Sequence, residues 1–452
     1  MLKKLRSHKF IFEIEDAGTK LNYFKLIYPI IIQNIVVYLI STVHTMAMSS
    51  VSIEAVSAIG VTTTLITFCN TLLQCPYTGA TVLISHALGA GDKSKSNQLF
   101  TASVYSTVLL SLLVGAILFF FSSQIVSCYD VHGLTFSYAV VYLQIRAAGL
   151  IFTGLAQCLL AAIRCVGKTL ITMTSSIVTS ILNVIFCILI VSDIVPFENK
   201  VAGVAIAGVL SQAIGMLMAL FPSLKMYKLL PEFSWKHIKR IVAIGFPGTI
   251  GILAYHFSVT LTTGIITTLG DMAINTRTYV TSIIHYIPIF AAASTQGSSI
   301  FLGRLMGRKD FKNCKKVAAQ NTALCILVGV ALAFLAFVFS DPIMRIFTDN
   351  PEIIRPARMI FALEILLEFF RSFNQIYGNA ALVCAKDVYF TSALGIASCF
   401  LVTVSFTWLF IVKLGFGLEG YFMAAILDEG VRAVLHVWRW KSNVWQKKLL
   451  KE

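Results

Sequence analysis

The chain has 452 residues, of which 57% are apolar and only 13% are charged, and its mean hydropathy is +0.82. A soluble domain carries about 25% charged residues, so this composition excludes a water-soluble globular protein. The net charge of +15 does not indicate nucleic-acid binding, because the basic residues lie in short loops between apolar runs.

Twelve apolar runs follow one another along the chain, each long enough to cross a bilayer. No apolar core follows the basic start closely enough for a cleavable signal, so we expect the first run to be retained. The predicted spans are 24–46, 56–85, 99–121, 136–163, 170–193, 202–224, 241–265, 275–303, 317–340, 357–383, 390–412 and 418–438. They divide the chain into a cytoplasmic N-terminal segment, a first lobe, a cytoplasmic linker, a second lobe and a cytoplasmic basic tail, at 1–23, 24–224, 225–240, 241–438 and 439–452.

The second half of the chain repeats the first at an offset of 218 positions. The stretch GATVLISHALGAGDKSKS at 79–96 returns as GSSIFLGRLMGRKDFKN at 297–313, and the same offset carries Pro29 onto Pro247. Each copy contains six spans, an even number, so both copies enter the membrane in the same direction. The sequence therefore predicts two six-helix lobes related by a pseudo-twofold axis along the bilayer normal.

Lysine and arginine are distributed unequally between the two sides of this layout. Of the 36 basic residues, 27 fall in the loops of one side and only 6 in those of the other. By the positive-inside rule we expect a multi-pass plasma-membrane protein with both termini in the cytoplasm. The ten cysteines lie mostly inside apolar runs without CxxC spacing, so we expect no metal site.

Several short motifs, in order along the spans, resemble those of the multidrug and toxic compound extrusion (MATE) transporters. They are Pro29, LISHALGAGDKSKS, YLQIRAAGLIF, AAIRCVGKT and GVAIAGVLSQ in the first copy, and Pro247, GRLMGRKD, ALVCAKD and GYFMAAIL in the second. The resemblance implies an all-α polytopic fold of twelve transmembrane helices in two six-helix lobes. It also implies an antiporter that exchanges a sodium ion or a proton for an organic substrate, through a central cavity alternately open to each side.

The sequence departs from the family at its cation site in the first lobe. Many members carry an acid in a VDT-like motif of the first span, where this chain reads VHT with His44. The fifth span has Asn183 followed by Cys187 in place of Asn and Asp, and the sixth-span threonine falls at Gly208. Of that site only Asn183 remains, so a sodium site in this lobe is disfavoured. In the second lobe, Tyr255–His256 replaces the glutamate of some members.

Charged residues in the second-half spans suggest where ion coupling takes place instead. Glu364, Glu368 and Arg371 share one face of the tenth span, and Asp428, Glu429 and Arg432 form a second set in the twelfth. A charge at the centre of a membrane helix costs about 2.5–3.5 kcal/mol, so these side chains should face a watery cavity or one another. The alternative is a structural role, in which Glu368–Arg371 and Asp428–Arg432 form ion pairs. For Glu364 and its repeat equivalent Arg146 we favour that structural role.

Histidines in or beside the spans complete the coupling hypothesis. His44, His256 and His285 carry side chains that titrate near neutral pH, although a hydrogen-bonded core position is the commoner role for any single one. We expect coupling to H⁺ or Na⁺, with no other cofactor and with the proton favoured. The predicted ion or proton coupling residues are Glu368, Asp428, His256, His44 and Asn183.

Polar residues on inward-facing positions predict the substrate cavity, although interhelical hydrogen bonding is an alternative role for many of them. They are Gln33, Asn34, Tyr38, Asn70, Gln157, Gln212, Tyr255, Arg371, Asn374 and Gln375. Pro29 and Pro247 are predicted hinges, because a proline inside a span frees a carbonyl and weakens one helical turn.

The predicted function is therefore secondary active export of amphipathic organic compounds, with membrane lipid and a small organic molecule as partners, no nucleic acid, and a monomeric state. A flippase for lipid-linked substrates is an alternative, although only Arg371 and Arg432 are available to bind a pyrophosphate. A receptor or non-transporting homologue is another. We do not expect an enzyme, since no HExxH motif and no Walker A sequence are present.

Overall fold

The computed structural model describes residues 11–16, 19–48, 53–129, 131–195, 197 and 199–450, without the side chains of 15–16, 19–20, 40–48, 53 and 56. Nearly all of this chain is helical. A short hairpin precedes the first helix, with β1 at Glu13–Asp16 and β2 at Thr19–Asn22 paired antiparallel so that Glu13 lies opposite Asn22.

The described residues of the first half form eight helices. They are α1 Tyr23–Met48, α2 Ile53–Gly89, α3 Lys93–Phe120, α4 Ser122–Ser127, α5 Gly133–Ala148, α6 Leu150–Cys165, α7 Thr169–Val191 and α8 Lys200–Met226. The predicted fourth span corresponds to two helices, since α5 and α6 meet at a 43° bend at Gly149.

The second half follows the same pattern with more irregular helices. The α-helices are α9 Trp235–Ile266, α10 Asp271–Ile284, α11 Ile289–Gly307, α12 Phe311–Val338, α13 Ser340–Arg345, α14 Pro351–Phe373, α15 Val388–Ser398, α16 Ser405–Trp408, α17 Glu419–Lys441 and α18 Val444–Leu450. A 3₁₀ turn, Thr267–Leu269, follows α9, and π-helical segments lie at Asn374–Leu382, Cys399–Val404 and Leu409–Lys413.

Each of the twelve predicted spans is thus matched by a helix or by consecutive helices. In the described part of the chain, seven helices are long and apolar enough to cross a membrane, if the continuous α- and π-helical run Val388–Lys413 is counted as one, and an eighth is added if α5 and α6 form one bent span. The predicted eighth span is divided between α10 and α11 by the turn that contains Pro288. The predicted tenth and eleventh spans include the π-helical segments, and π-helical turns inside α-helices are frequent at functional sites.

The internal repeat is visible in the helix boundaries. The helices α3 and α12 begin and end 218 positions apart, and α4 and α13 show the same offset. Asp92 caps the N-terminus of α3 and Asp310 caps that of α12, each accepting a backbone N–H bond. The residue directly before each capping aspartate has a left-handed backbone conformation, at Gly91 in the first copy and at Lys309 in the second.

The helices are grouped into two compact units. Unit 1 contains the described residues up to Ile27 and from Ile250 onward, and unit 2 is Tyr28–Thr249. The boundaries between the two units therefore fall inside α1 and α9. Each boundary lies two residues from a proline, Pro29 in α1 and Pro247 in α9.

Glycines allow the first turns of α9 and α1 to pack closely against other helices within these units. In unit 2, a Cβ on Gly79 would lie 2.1 Å from the Ile241 carbonyl oxygen, and one on Gly245 would lie 1.8 Å from the Cys75 carbonyl oxygen. The backbones of α2 and α9 therefore approach as closely as small residues allow. In unit 1, Gly297 of α11 makes the repeat-related contact, against the side chain of Ile27.

Candidate functional site

The tenth span places three charged side chains in mutual contact. Glu364, Glu368 and Arg371 lie on one face of α14, and both glutamates are fully buried, with 0% exposure. Arg371 Nη1 donates to Glu364 Oε1 at 2.9 Å and also to Glu368 Oε1. One guanidinium thus holds two carboxyl groups.

The twelfth span repeats this arrangement on α17. Arg432 Nη2 donates to Glu429 Oε1 at 2.8 Å and to Asp428 Oδ2, and Asp428 is 4% exposed. The hydroxyl of Ser398, at the end of α15, donates to the other oxygen of Asp428. Although adjacent residues of a helix point in different directions, the long Arg432 side chain reaches both carboxyl groups.

An asparagine connects the two helices. Asn374, the first residue of the π-helical segment after α14, donates through Nδ2 to Glu429 Oε2 at 2.5 Å and to the Glu429 carbonyl oxygen at 2.8 Å. Its Oδ1 lies 2.8 Å from His436 Nδ1. Because the amide nitrogen already donates to two acceptors, Oδ1 must accept, and His436 must carry its proton on Nδ1.

We call the side chains of Glu364, Glu368, Asp428 and Glu429 the carboxylate cluster, with Arg371 and Arg432 as its counter-ions. Four carboxyl groups share two guanidiniums, so full ionisation would leave two negative charges in excess. Oε2 of Glu364 and Oε2 of Glu368 are buried without a hydrogen-bond partner, as is His436 Nε2. A buried oxygen in this state favours protonation or a bound cation.

Two glycines keep space around the cluster. A Cβ on Gly378 would lie 2.6 Å from His436 Cε1, so only glycine lets the imidazole pack against this turn. A Cβ on Gly329 of α12 would lie 3.1 Å from Glu368 Oε2, so the unpartnered oxygen of Glu368 points toward α12.

The other predicted coupling and cavity residues of unit 1 are Tyr255, His256 and Gln375. Tyr255 of α9 is within electrostatic range of Arg371, Glu429 and Arg432, and its ring centroid lies 5.8 Å from that of His256, which is exposed. Gln375 lies beside the cluster residue Asn374 but bonds elsewhere, accepting from the hydroxyl of Thr295. The structure therefore brings together the predicted Glu368, Arg371, Asn374 and Asp428.

The predicted residues of unit 2 are not brought together in this way. Asn183 donates to Ser211 Oγ at 3.1 Å, beside the guanidinium of Arg146, which disfavours a cation there. The other predicted cavity amides of unit 2 make no hydrogen bonds with one another in the described part of the chain. They are Gln33, Asn34, Asn70, Gln157 and Gln212. Tyr38 is exposed, and the His44 side chain lies outside the described residues.

Two members of the site, Ser398 and His436, were missing from the sequence-based set. Glu429 was predicted as part of the charged set of the twelfth span, with Asp428 and Arg432, but not as a coupling residue. His436 lies two turns further along α17, and the Ser398 contact depends on how α15 packs. No sequence signal identifies these last two, because both require knowledge of which helices meet.

Beyond the ends of the predicted tenth and twelfth spans, a second ion-pair group ties α17 to the loop before α15. Arg439 Nε donates to Asp387 Oδ2 at 2.6 Å, and Lys448 of α18 donates to the other oxygen. Burial by itself would raise the pKa of the Asp387 carboxyl, but the hydrogen bonds from Arg439 and Lys448 outweigh it and hold that pKa below its usual value. The group therefore stabilises unit 1 at neutral pH and loses this effect as the pH falls through the lowered pKa.

Within the described ranges, no three His, Cys, Asp or Glu side chains are arranged to hold a metal ion.

The comparisons with known proteins point in one direction. A family model described as MatE matches residues 29–189 and again 247–409, so the matches begin 218 positions apart, at Pro29 and Pro247. The chain is 28% identical to "Uncharacterized transporter YisQ" of Bacillus subtilis, over 96% of this chain and 97% of that protein. It is 24% identical to "Probable multidrug resistance protein NorM" of Thermotoga maritima, over 94% and 92%.

A solved structure shares the fold. The crystal structure of MATE in the bent conformation superposes with a TM-score of 0.87 at 16% identity, covering 95% of this chain and 96% of that one. This likeness confirms the predicted all-α polytopic fold of twelve transmembrane helices in two lobes, and the double family match confirms the predicted duplication.

Proposed function

Because the chain belongs to the MatE family, the multidrug and toxic compound extrusion transporters, we propose that it is a secondary active exporter of amphipathic organic compounds driven by protons. Membership confirms the resemblance seen in the sequence and the predictions of a multi-pass membrane transporter and not an enzyme. The coupling ion, the substrate class and the alternating-access cycle are the proposed parts.

The excess of carboxyl groups in unit 1 is the observation that carries this proposal. Buried charges in a membrane protein are retained where an ion or a substrate passes. With two guanidiniums for four carboxyl groups, the cluster gains stability by taking up one or two positive charges. Protons arriving from one side and a cationic substrate from the other would compete for the same negative charge, which is the requirement of an antiporter.

The hydrogen bonds of the cluster favour the proton over sodium. Glu364 and Glu368 each use one oxygen for Arg371, and the other oxygen is buried without a partner. A proton bound to that oxygen requires no further ligand, whereas a hard cation needs several oxygen ligands around it. The structure brings no further oxygens of this kind together in a metal-binding group among the described residues.

The two prolines support alternating access. The first turns of α9 pack in unit 2 and its remainder belongs to unit 1, while the reverse holds for α1. Pro247 and Pro29 lie within two residues of these divisions, where each removes a helical hydrogen bond. We propose that both helices bend at these points when the transporter changes state.

The proposed substrate class is supported by the names of relatives and by the residue types predicted for the cavity. Relatives of the chain are named as multidrug resistance proteins, and the polar residues predicted for the cavity are sparse amides and tyrosines. Such a lining provides few fixed contacts and much apolar surface, which suits amphipathic molecules of varied shape.

Efflux from proteoliposomes under separately imposed gradients tests the proposal. We expect a fluorescent organic cation to be moved by a pH gradient, and a sodium gradient at constant pH to have no effect. Protein-free liposomes and a protonophore are the controls. Transport that follows the sodium gradient and ignores the pH gradient would reject proton coupling, and the absence of transport under both would reject the exporter.

A further inference from the structure

Unit 2 contains a guanidinium that the proposed mechanism does not use. Arg146 lies near the end of α5, before the bend at Gly149, and its side chain packs against Gly208 of α8. A Cβ on Gly208 would lie 2.4 Å from Arg146 Nη1. The position where the family's threonine is expected is thus occupied by an arginine head group, and glycine provides the space for it.

Arg146 makes no hydrogen bond or ion pair with any described residue, and its Nε is buried without a partner. This is unusual for a charged group within a membrane span, where arginine normally meets a carboxylate or a carbonyl oxygen. Its repeat equivalent, Glu364, shows the usual situation, because it bonds to Arg371 at 2.9 Å.

The sequence of unit 2 offers no counter-ion for it. In unit 2, Asp and Glu occur only at Glu54, Asp92, Asp130, Asp193, Glu198 and Glu232, and those that the structure describes, Glu54, Asp92, Asp193 and Glu232, are exposed at a helix end or between helices. The four acids of the spans are all in unit 1 and are held there by Arg371 and Arg432. The interior of unit 2 therefore carries positive charge, in contrast to the carboxylate cluster.

A second donor borders the same space. The Cβ position of Gly208 lies 3.5 Å from Asn183 Nδ2, which uses one of its two hydrogens for Ser211 Oγ. Guanidinium and amide N–H groups next to one another match the oxygens of a carboxylate or a phosphate.

We propose that Arg146, with Asn183, binds the anionic head group of an amphipathic molecule in unit 2. The group is a carboxylate or a phosphate, carried by a transported organic acid or by a membrane lipid. If it belongs to a transported substrate, the proposal rests on the proposed function and adds amphiphiles that bear an acidic group to its substrates. Binding itself requires no transport.

The test compares dodecanoate with its uncharged methyl ester, titrated into protein purified in a non-ionic detergent. We expect the wild type to bind the acid at least tenfold more tightly than the ester, Arg146→Gln to lose that preference, and Arg146→Lys to keep part of it. Lys168→Gln removes an exposed positive charge from the same unit and should leave the preference unchanged. Competition by added phosphatidylglycerol assigns the site to a lipid phosphate, and its absence assigns it to an organic acid.

Equal binding of acid and ester by the wild type, or a preference that survives in Arg146→Gln, would overturn the assignment. If Arg146→Gln does not fold, the ratio of the wild-type affinities for the acid and the ester, together with the preference of Arg146→Lys, still tests the proposal. Because the measurement is equilibrium binding, its failure leaves proton-driven efflux untouched, and a failure of efflux leaves this result untouched.

Discussion

Arg371→Gln is expected to lower the free energy of unfolding by about 3–5 kcal/mol, the largest stability effect that we foresee for this protein. The guanidinium is 21% exposed and is the shared counter-ion of Glu364 and Glu368, which are both fully buried. Removing it leaves two carboxyl groups facing one another without a positive charge. Either both take up protons or the local packing of α14 opens.

Denaturant unfolding in detergent measures the effect, with Arg355→Gln as the matched control. Arg355 lies on the same helix but is exposed, so its replacement should change the free energy by no more than about 0.5 kcal/mol. A second substitution, Glu368→Gln, should recover part of the loss because it removes one of the stranded charges. An Arg371→Gln protein as stable as the wild type would show that the carboxyl groups are already neutral.

Glu368→Gln and Asp428→Asn are each expected to reduce pH-driven efflux about tenfold or more. A hydrogen bond to a charged group is worth about 1.5–3 kcal/mol, and 1.4 kcal/mol corresponds to a factor of ten in affinity for the coupling ion. The amides keep the size of the carboxyl groups but cannot bind a proton or a cation at that oxygen. Downhill movement of substrate should persist while its dependence on pH disappears.

Initial rates of uptake into inverted vesicles, recorded across a series of pH gradients, provide the measurement. Glu352→Gln is the control, since this glutamate is exposed in the first turn of α14 and only its backbone N–H is hydrogen-bonded, to Asn350. Should both amide variants keep the full response to pH, the two carboxyl groups would be structural ion pairs and coupling would have to reside elsewhere.

Much of the site was accessible from helical spacing alone. The charges of Glu368 and Arg371, and of Asp428 and Arg432, fall at intervals of three and four residues, and their burial follows from the cost of exposing them to lipid. The link between the two sets was not accessible. It depends on Asn374, where the chain leaves the α-helical period for a π-helical one and changes the direction in which the next side chains point.

The division of the chain was also only partly predictable. The repeat placed Pro29 and Pro247 in equivalent positions, and the lobe boundary that the sequence suggests in the basic segment 225–240 stays a prediction. In the structure the division falls inside α1 and α9. The reason is long-range packing, in which Gly79 and Gly245 let the backbones of α2 and α9 touch. No local pattern shows which glycine will meet which helix.

Proton release during substrate binding tests the central claim most directly. Purified protein in weakly buffered detergent is mixed with an organic cation while a pH indicator records the solution, over about pH 5 to 8. We predict that the wild type releases protons as the cation binds and that its affinity falls as the pH falls, because the two ligands compete for the carboxylate cluster. The Glu368→Gln, Asp428→Asn double variant should release none. Binding by the wild type without proton release at any pH in this range would contradict the account.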